Sequence, residues 1–347
     1  MEKVSFGKTS DGKEAFLYEI SNGKGMRLCA TNYGATVVSI FMPDKNGVEK
    51  DIVLGYEQVL SYEKEGGYFG ATVGRYCNRI SDAKIVIDGI EYALDANDFE
   101  NNLHSGNHSM CYMHWDVESH TESSITFTCV SKDLEQGFPG TVTAKVTYTL
   151  TENCDFEITY HAVSDKKTTM NFTNHAYFNL NGDEVPTILD NVLEIRASHY
   201  TPIKSAKAIP TGEIAPVEGT PFDFRTAKPI GQDIAKADDQ LTYGNGYDHN
   251  YVLDRSGDGM ELAAIAYSPS TGIRMEITTD CIGIQLYTGN GINQQKGKRG
   301  TVYGKNQAFC LETQYFPNSI NEPNFKTPIY EAGEAFTSKT VHHFSIV

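Results

Sequence analysis

The apolar positions of this chain recur every second residue. Across residues 141–150 the even positions are Val142, Ala144, Val146, Tyr148 and Leu150, and the odd positions are Thr or Lys. Successive side chains of an extended backbone point to opposite faces, so this pattern predicts a strand with one buried and one wet face. Phe156, Ile158, Tyr160 and Ala162 repeat it, as do Ile125, Phe127 and Cys129, and again Ile273, Met275 and Ile277. Thr151-Glu152-Asn153-Cys154 is a hairpin connection between two of these runs. Asp88-Gly89, between Ile85-Val86-Ile87 and Ile90-Glu91-Tyr92, is a tighter one, because both residues accept the positive φ of a type I′ turn.

Helical patterning is sparse. Residues 58–62 fit one or two turns, and residues 231–241 fit a second short helix. There is no βαβ alternation, no GxGxxG and no GxxxxGKS/T, which removes support for nucleotide-binding folds. The stretch 202–229 is loop-rich and bears Pro, yet it carries Phe222 and Phe224 and reads as an ordered excursion. No fixed-period repeat or low-complexity linker divides the chain. The expected architecture is all-β: one large antiparallel β-sandwich domain over residues 1–347, with two extended sheets packed face to face.

Charge narrows the partners. The 347 residues carry 29 Lys and Arg against 45 Asp and Glu, a formal charge of −16. That balance argues against nucleic acid, whose phosphates need clustered cations, and against an anionic membrane surface. A small neutral ligand suits it best. No run approaches the roughly 18 apolar residues of a membrane helix. Residues 1–5, MEKVS, open in polar sequence without the apolar core of a signal peptide, so export by that route is not expected. Seven scattered cysteines, with no Cys-x-x-Cys, argue against zinc knuckles and a disulfide framework, and for reduced thiols in a cytoplasm.

Four segments set unusual polar residues beside strand-like sequence: GRYCNRI (74–80), NNLHSG (101–106), TNHAYFNL (173–180) and CLETQYFP (310–317). GYDHN (246–250) is a weaker fifth. Glu312 lies in the strand-like run 309–315. A carboxylate there points to water or sits in a pocket, and its aromatic flanks and Gln314 favour the pocket. Burial would disfavour its charge, raise its pKa and make it a better base near neutrality. His175, between Asn174 and the pair Tyr177-Phe178, reads on its own as a structural histidine, and His104, before Ser105-Gly106, as a loop histidine at a turn. Arg75 and Arg79 cannot both share a strand face with Asn78, so one of them is expected to be a structural ion-pair partner. His104, His108 and His114 cluster loosely around Cys111, and His-x3-His could hold zinc from a helix. Ser105-Gly106-Asn107 is a poor helix, however, and no metal is expected. His342-His343 reads as a surface pair.

Taken together and in order, these segments resemble the aldose 1-epimerase (galactose mutarotase) family. The likeness includes Asn32-Tyr33-Gly34-Ala35 and runs on through GRYCNRI, NNLHSG, NHAYFNL, GYDHNY and LETQYFPNSIN along nearly the whole chain. It implies a β-supersandwich and the interconversion of α and β anomers of free hexoses such as galactose and glucose, without a cofactor. It also implies roles: Glu312 as general base, His175 as general acid, His104 as a helper at the ring oxygen, and Arg79, Asp248 and Asn78 as ligands of the sugar hydroxyls. The sequence departs from the family after His104, where residues 105–115 replace the usual Gly-Gly and Gly-Phe-Asp-Lys stretches, which bears on substrate preference. Asn318-Ser319-Ile320-Asn321 is a smaller departure.

The implied chemistry is proton transfer. A cyclic hemiacetal opens when O1 loses a proton and the ring oxygen gains one; the aldehyde turns about C1–C2 and recloses from its other face. Both anomers use the same groups, so the far hydroxyls should be gripped and C1 left free. Alternatives on the same fold are a hexose-6-phosphate 1-epimerase, which needs extra cations, and a carbohydrate-binding protein without turnover. A paired-carboxylate glycoside hydrolase is disfavoured, because the segments supply one carboxylate base plus histidines. The partner is a small aldose, and the chain acts as a monomer or a homodimer.

Overall fold

The computed structural model describes residues 3–347. Its largest element is a nine-stranded antiparallel sheet. The order is Asp116–His120, Ser124–Ser131, Val142–Leu150, Asp155–Ser164, Ala335–Ile346, Ile273–Thr279, Glu261–Tyr267, Val192–Ile195 and Lys228–Pro229. The two-residue alternation sets its faces. Ile125 pairs with Tyr148 and Tyr148 with Ile158, so inward side chains line up in rows across neighbouring strands. The connections at Asp88-Gly89 and residues 151–154 are hairpins, and Asp88 and Gly89 take φ of 51° and 78°.

The strand nearest the C-terminus, Ala335–Ile346, sits in the middle of this sheet, between Asp155–Ser164 and Ile273–Thr279. Phe336, Ser338, Thr340, His342 and Phe344 therefore face inward. This corrects the surface reading of His342-His343. His342 is buried against Phe156 and Phe178, and burial pushes its pKa down to about 4. His343, on the opposite face, is half-exposed and meets Asp155 at 2.8 Å.

Among the described residues, two five-stranded antiparallel sheets and five two-stranded ribbons accompany the nine-stranded sheet. One five-stranded sheet is an N-terminal meander of Lys3–Lys8, Glu14–Ser21, Arg27–Thr31, Thr36–Pro43 and Glu49–Asp51. The other has the order Ala215–Pro216, His199–Thr201, Asp248–Val252, Gly283–Tyr287 and Cys310–Gln314. Side chains from all three sheets share one apolar core, including Ile20, Phe127, Tyr148, Ile284 and Leu286. Two sheets thus share the core of the nine-stranded sheet, where the sequence suggested one. The excursion 202–229 is ordered, and Phe222 and Phe224 are buried in that core.

The helices are short. The first is Val59–Glu65, slightly later than its pattern suggested. The 231–241 stretch resolves into a turn at Ile230–Gln232 and a helix at Asp239–Gly244. Asp238 caps that helix by accepting the amides of Gln240 and Leu241. Among the described residues no helix is long and apolar enough to cross a membrane, and the seven cysteines are free thiols.

Candidate active site

Three local pairings carry the polar segments to one place. Arg79–Ile80 pairs with Asn102–Leu103, with Leu103 opposite Arg79, so His104 follows directly. Thr173–Asn174 pairs with Thr72–Val73 and delivers His175. In the second five-stranded sheet Asp248 lies opposite Tyr287, and Gln285 opposite Glu312. Asn78, Arg79, His104, His175, Asp248 and Glu312 all line one cavity of about 330 Å³. Glu312 and His175 have side chains only 3% and 6% exposed, and Glu312 Oε1 lies 3.6 Å from His175 Nε2. Glu312 Oε2 is buried without a hydrogen-bond partner.

Part of the lining is a charged clasp. Arg79 Nε donates to Asp98 at 2.8 Å, and its Nη1 lies 3.5 Å from Asp248 Oδ2. Gln285 Nε2 donates to the other Asp248 oxygen at 2.7 Å. Arg79 is accordingly the ion-paired arginine of its segment. Arg75 serves a different purpose: its buried guanidinium donates to the carbonyls of Ser131, Lys132, Pro139 and Gly140 and to Ser131 Oγ.

Burial shapes the proton affinities. It raises the Glu312 pKa well above the usual carboxylate range, with Asp248 adding to the rise and Arg79 opposing it. It lowers His175 to about 4, helped by the charge of Arg79. His104 also falls well below 6.5, through burial, His175 and Arg79. Burial thus shifts the two groups in opposite directions, making Glu312 a stronger base and His175 a stronger acid than the free side chains.

The backbone decides what His104 can do. Asn78 takes a left-handed φ of 62°, a conformation Asn tolerates better than most residues. Its N–H donates to His104 Nδ1 at 3.0 Å, and its carbonyl accepts the His104 N–H at 3.1 Å. An amide can only donate, so neutral His104 carries its proton on Nε2. Protonating Nδ1 would break that bond. His104 is thereby a fixed hydrogen-bond donor rather than a proton carrier. The Asn78 side chain also works locally, its Oδ1 accepting the Arg79 amide at 2.9 Å.

The zinc grouping considered from sequence does not assemble. His108 is exposed, and His114 packs on Tyr33 and meets Thr9. A different set, His104, His175 and Glu312, brings ligand-type atoms within 4.8 Å of one another. A cation there would need the Nε2 lone pair of His104, which the Asn78 amide denies to the neutral ring. The donor set suits proton transfer better.

Several lining residues were given no role from the sequence. Tyr68, Phe69, Tyr177 and Tyr287 supply the aromatic walls, and Gln295 and Ile292 lie at one side. Tyr68 packs on both His104 and His175. Tyr112, from the unusual 105–115 stretch, packs on Tyr68 in turn, so this loop reaches the cavity at second hand. Asp98 and Gln285 were likewise missed; Tyr177 lay within a recognised segment.

The chain matches the family model described as aldose 1-epimerase over residues 17–343. It is 38% identical to galactose mutarotase of Sus scrofa over 322 residues, covering 92% of each chain. It is 32% identical to aldose 1-epimerase of Escherichia coli K12 over 336 residues, covering 96% of each. Among solved structures, the GalM/aldose epimerase homologue from C. elegans superposes with a TM-score of 0.89 at 30% identity, over 96% of this chain and 99% of that one. Galactose 1-epimerase from Lactobacillus acidophilus does so with a TM-score of 0.86 at 26% identity, over 99% and 98%.

Proposed function

The chain belongs to the aldose 1-epimerase family and is a mutarotase, and from that premise we propose that Glu312 and His175 carry the proton transfers at the anomeric centre. Glu312 takes the proton of the O1 hydroxyl. His175, entering the step as the imidazolium beside the ionised Glu312, gives its Nε2 proton to the ring oxygen and is left neutral, and His104 Nε2–H donates a hydrogen bond there. The C1–ring-oxygen bond breaks, O1 becomes the aldehyde oxygen, and rotation about C1–C2 presents the other face. Reclosure returns each proton by the same route. The observation that carries this reading is the 3.6 Å approach of Glu312 Oε1 to His175 Nε2 on the wall of the cavity. Arg79 and Asp248 grip vicinal hydroxyls away from C1, with Asn78 beside them. Asp98 and Gln285 hold that clasp in place.

We read the substrate as a free, unphosphorylated aldose, galactose or glucose. Arg79 is the cation among the residues lining the cavity, and two carboxylates already pair with it. A phosphate would have to compete with both. The free thiols fit a reducing cytoplasm, in which the chain works as a monomer or a homodimer. Polarimetry on fresh α-D-glucose, α-D-galactose and glucose 6-phosphate tests the reading. The two free sugars should relax to anomeric equilibrium faster in proportion to added protein, with the phosphate at least about tenfold slower in kcat/KM. Preference for the phosphate would reject the substrate assignment.

A further inference from the structure

Two buried histidines share this cavity, yet their Nδ1 atoms meet unlike partners. That of His104 accepts a backbone amide. That of His175 faces Cys310 Sγ at 3.5 Å. Cys310 is fully buried and lies two residues before Glu312 on the strand Cys310–Gln314, so both side chains project from one face of it. One strand thus addresses both ring nitrogens of His175, with Cys310 at Nδ1 and Glu312 at Nε2. Tyr177 and Tyr68 stack on the ring at 5.0 and 5.9 Å, and Tyr287 meets it edge-on at 6.4 Å. These stacking contacts hold the ring plane.

Resting on the proton route given above, we propose that Cys310 is a positioning residue for His175, its sulfur accepting the Nδ1–H that the ring keeps while Nε2 gives up and regains its proton. The requirement follows from proton balance. When Nε2 of the imidazolium protonates the ring oxygen, a neutral ring remains with its proton on Nδ1 and a lone pair on Nε2. That lone pair must take the proton back when the sugar recloses. The partner at Nδ1 must therefore accept. A backbone amide cannot, which sets His104 apart. A thiol sulfur accepts weakly, and its own S–H can turn aside. Burial, with the charge of Glu312, keeps this thiol well above its usual pKa, so the sulfur stays neutral and does not trap His175 as a permanent cation.

The test compares Cys310→Ala and Cys310→Ser with His175→Asn, reading kcat, KM and the titration of the His175 ring by ¹⁵N NMR. Ala removes the acceptor. It should lower kcat about three- to tenfold, the leverage of one neutral hydrogen bond, leave KM within about twofold, and move the His175 pKa further down. Ser restores an acceptor, so it should recover kcat to within about threefold of the parent and move that pKa up. A cysteine that only fills space would alter thermal stability without moving the titration. Wild-type kcat and an unchanged His175 titration in the Ala variant would overturn the proposal, as would equal losses in Ala and Ser. If His175→Asn retains full turnover, the acid assignment itself fails. If His175→Asn is slow while both Cys310 variants match the parent, only the role of Cys310 fails.

Discussion

Glu312→Gln is expected to slow anomer interconversion by about 10²–10⁴-fold, the usual contribution of a positioned acid or base, and to make the protein more stable. Gln keeps the shape and can still hydrogen-bond O1, but it cannot take the proton. Polarimetry on fresh α-D-galactose reads the first effect. The second follows from the same burial. Glu312 lies in the wall of the cavity with Oε2 unpartnered and its pKa pushed up. A carboxyl that is a weaker acid folded than unfolded costs stability as pH rises through that range. The gain from Gln should therefore be near zero below the ordinary carboxylate pKa and grow as pH rises toward the raised pKa of Glu312. Thermal unfolding across pH measures it. The parent's kcat/KM should rise with pH along a limb set above the ordinary range of Glu. Near-normal turnover in the variant would remove Glu312 from the base role.

His175→Asn should cost about 10²–10⁴-fold in kcat, whereas His104→Asn should cost roughly tenfold, the loss of one hydrogen bond at the reacting oxygen. The ordering follows from the Nδ1 partners. His104 is fixed as a donor by the Asn78 amide, and its loss weakens the hold on the ring oxygen without removing a proton. His175 faces an adaptable thiol and the base, and its loss removes the acid. Stopped-flow polarimetry on both variants decides the matter. A slower His104→Asn than His175→Asn would reverse the assignment.

How far the sequence could be read depended on range. The alternation in 142–150 and 155–164 was local and gave strands and faces directly, as Asp88-Gly89 gave its hairpin. The central place of Ala335–Ile346 was not local. It rests on pairings with strands some 60 and 180 residues earlier, and without them His342 looked like a surface residue near a chain end. The site shows the same division. Glu312, His175, His104, Arg79, Asp248 and Asn78 stood in segments whose resemblance to a family named them, and the fold brings all six to one cavity. Their supports were invisible. Asp98 lies 19 residues from Arg79, and Gln285 lies 37 from Asp248, so no spacing announces either contact. Cys310 sat in plain view beside Glu312, but its partner His175 is 135 residues away.

The central claim is that Glu312 and His175 flank a single anomeric carbon, and a crystal structure of the Glu312→Gln variant with D-galactose tests it most directly. The account predicts the side chain at position 312 within hydrogen-bond reach of O1, His175 Nε2 and His104 Nε2 at the ring oxygen, and Arg79 and Asp248 on hydroxyls remote from C1. A sugar bound the other way round, with position 312 and His175 meeting the far hydroxyls and C1 directed at Arg79, would contradict it.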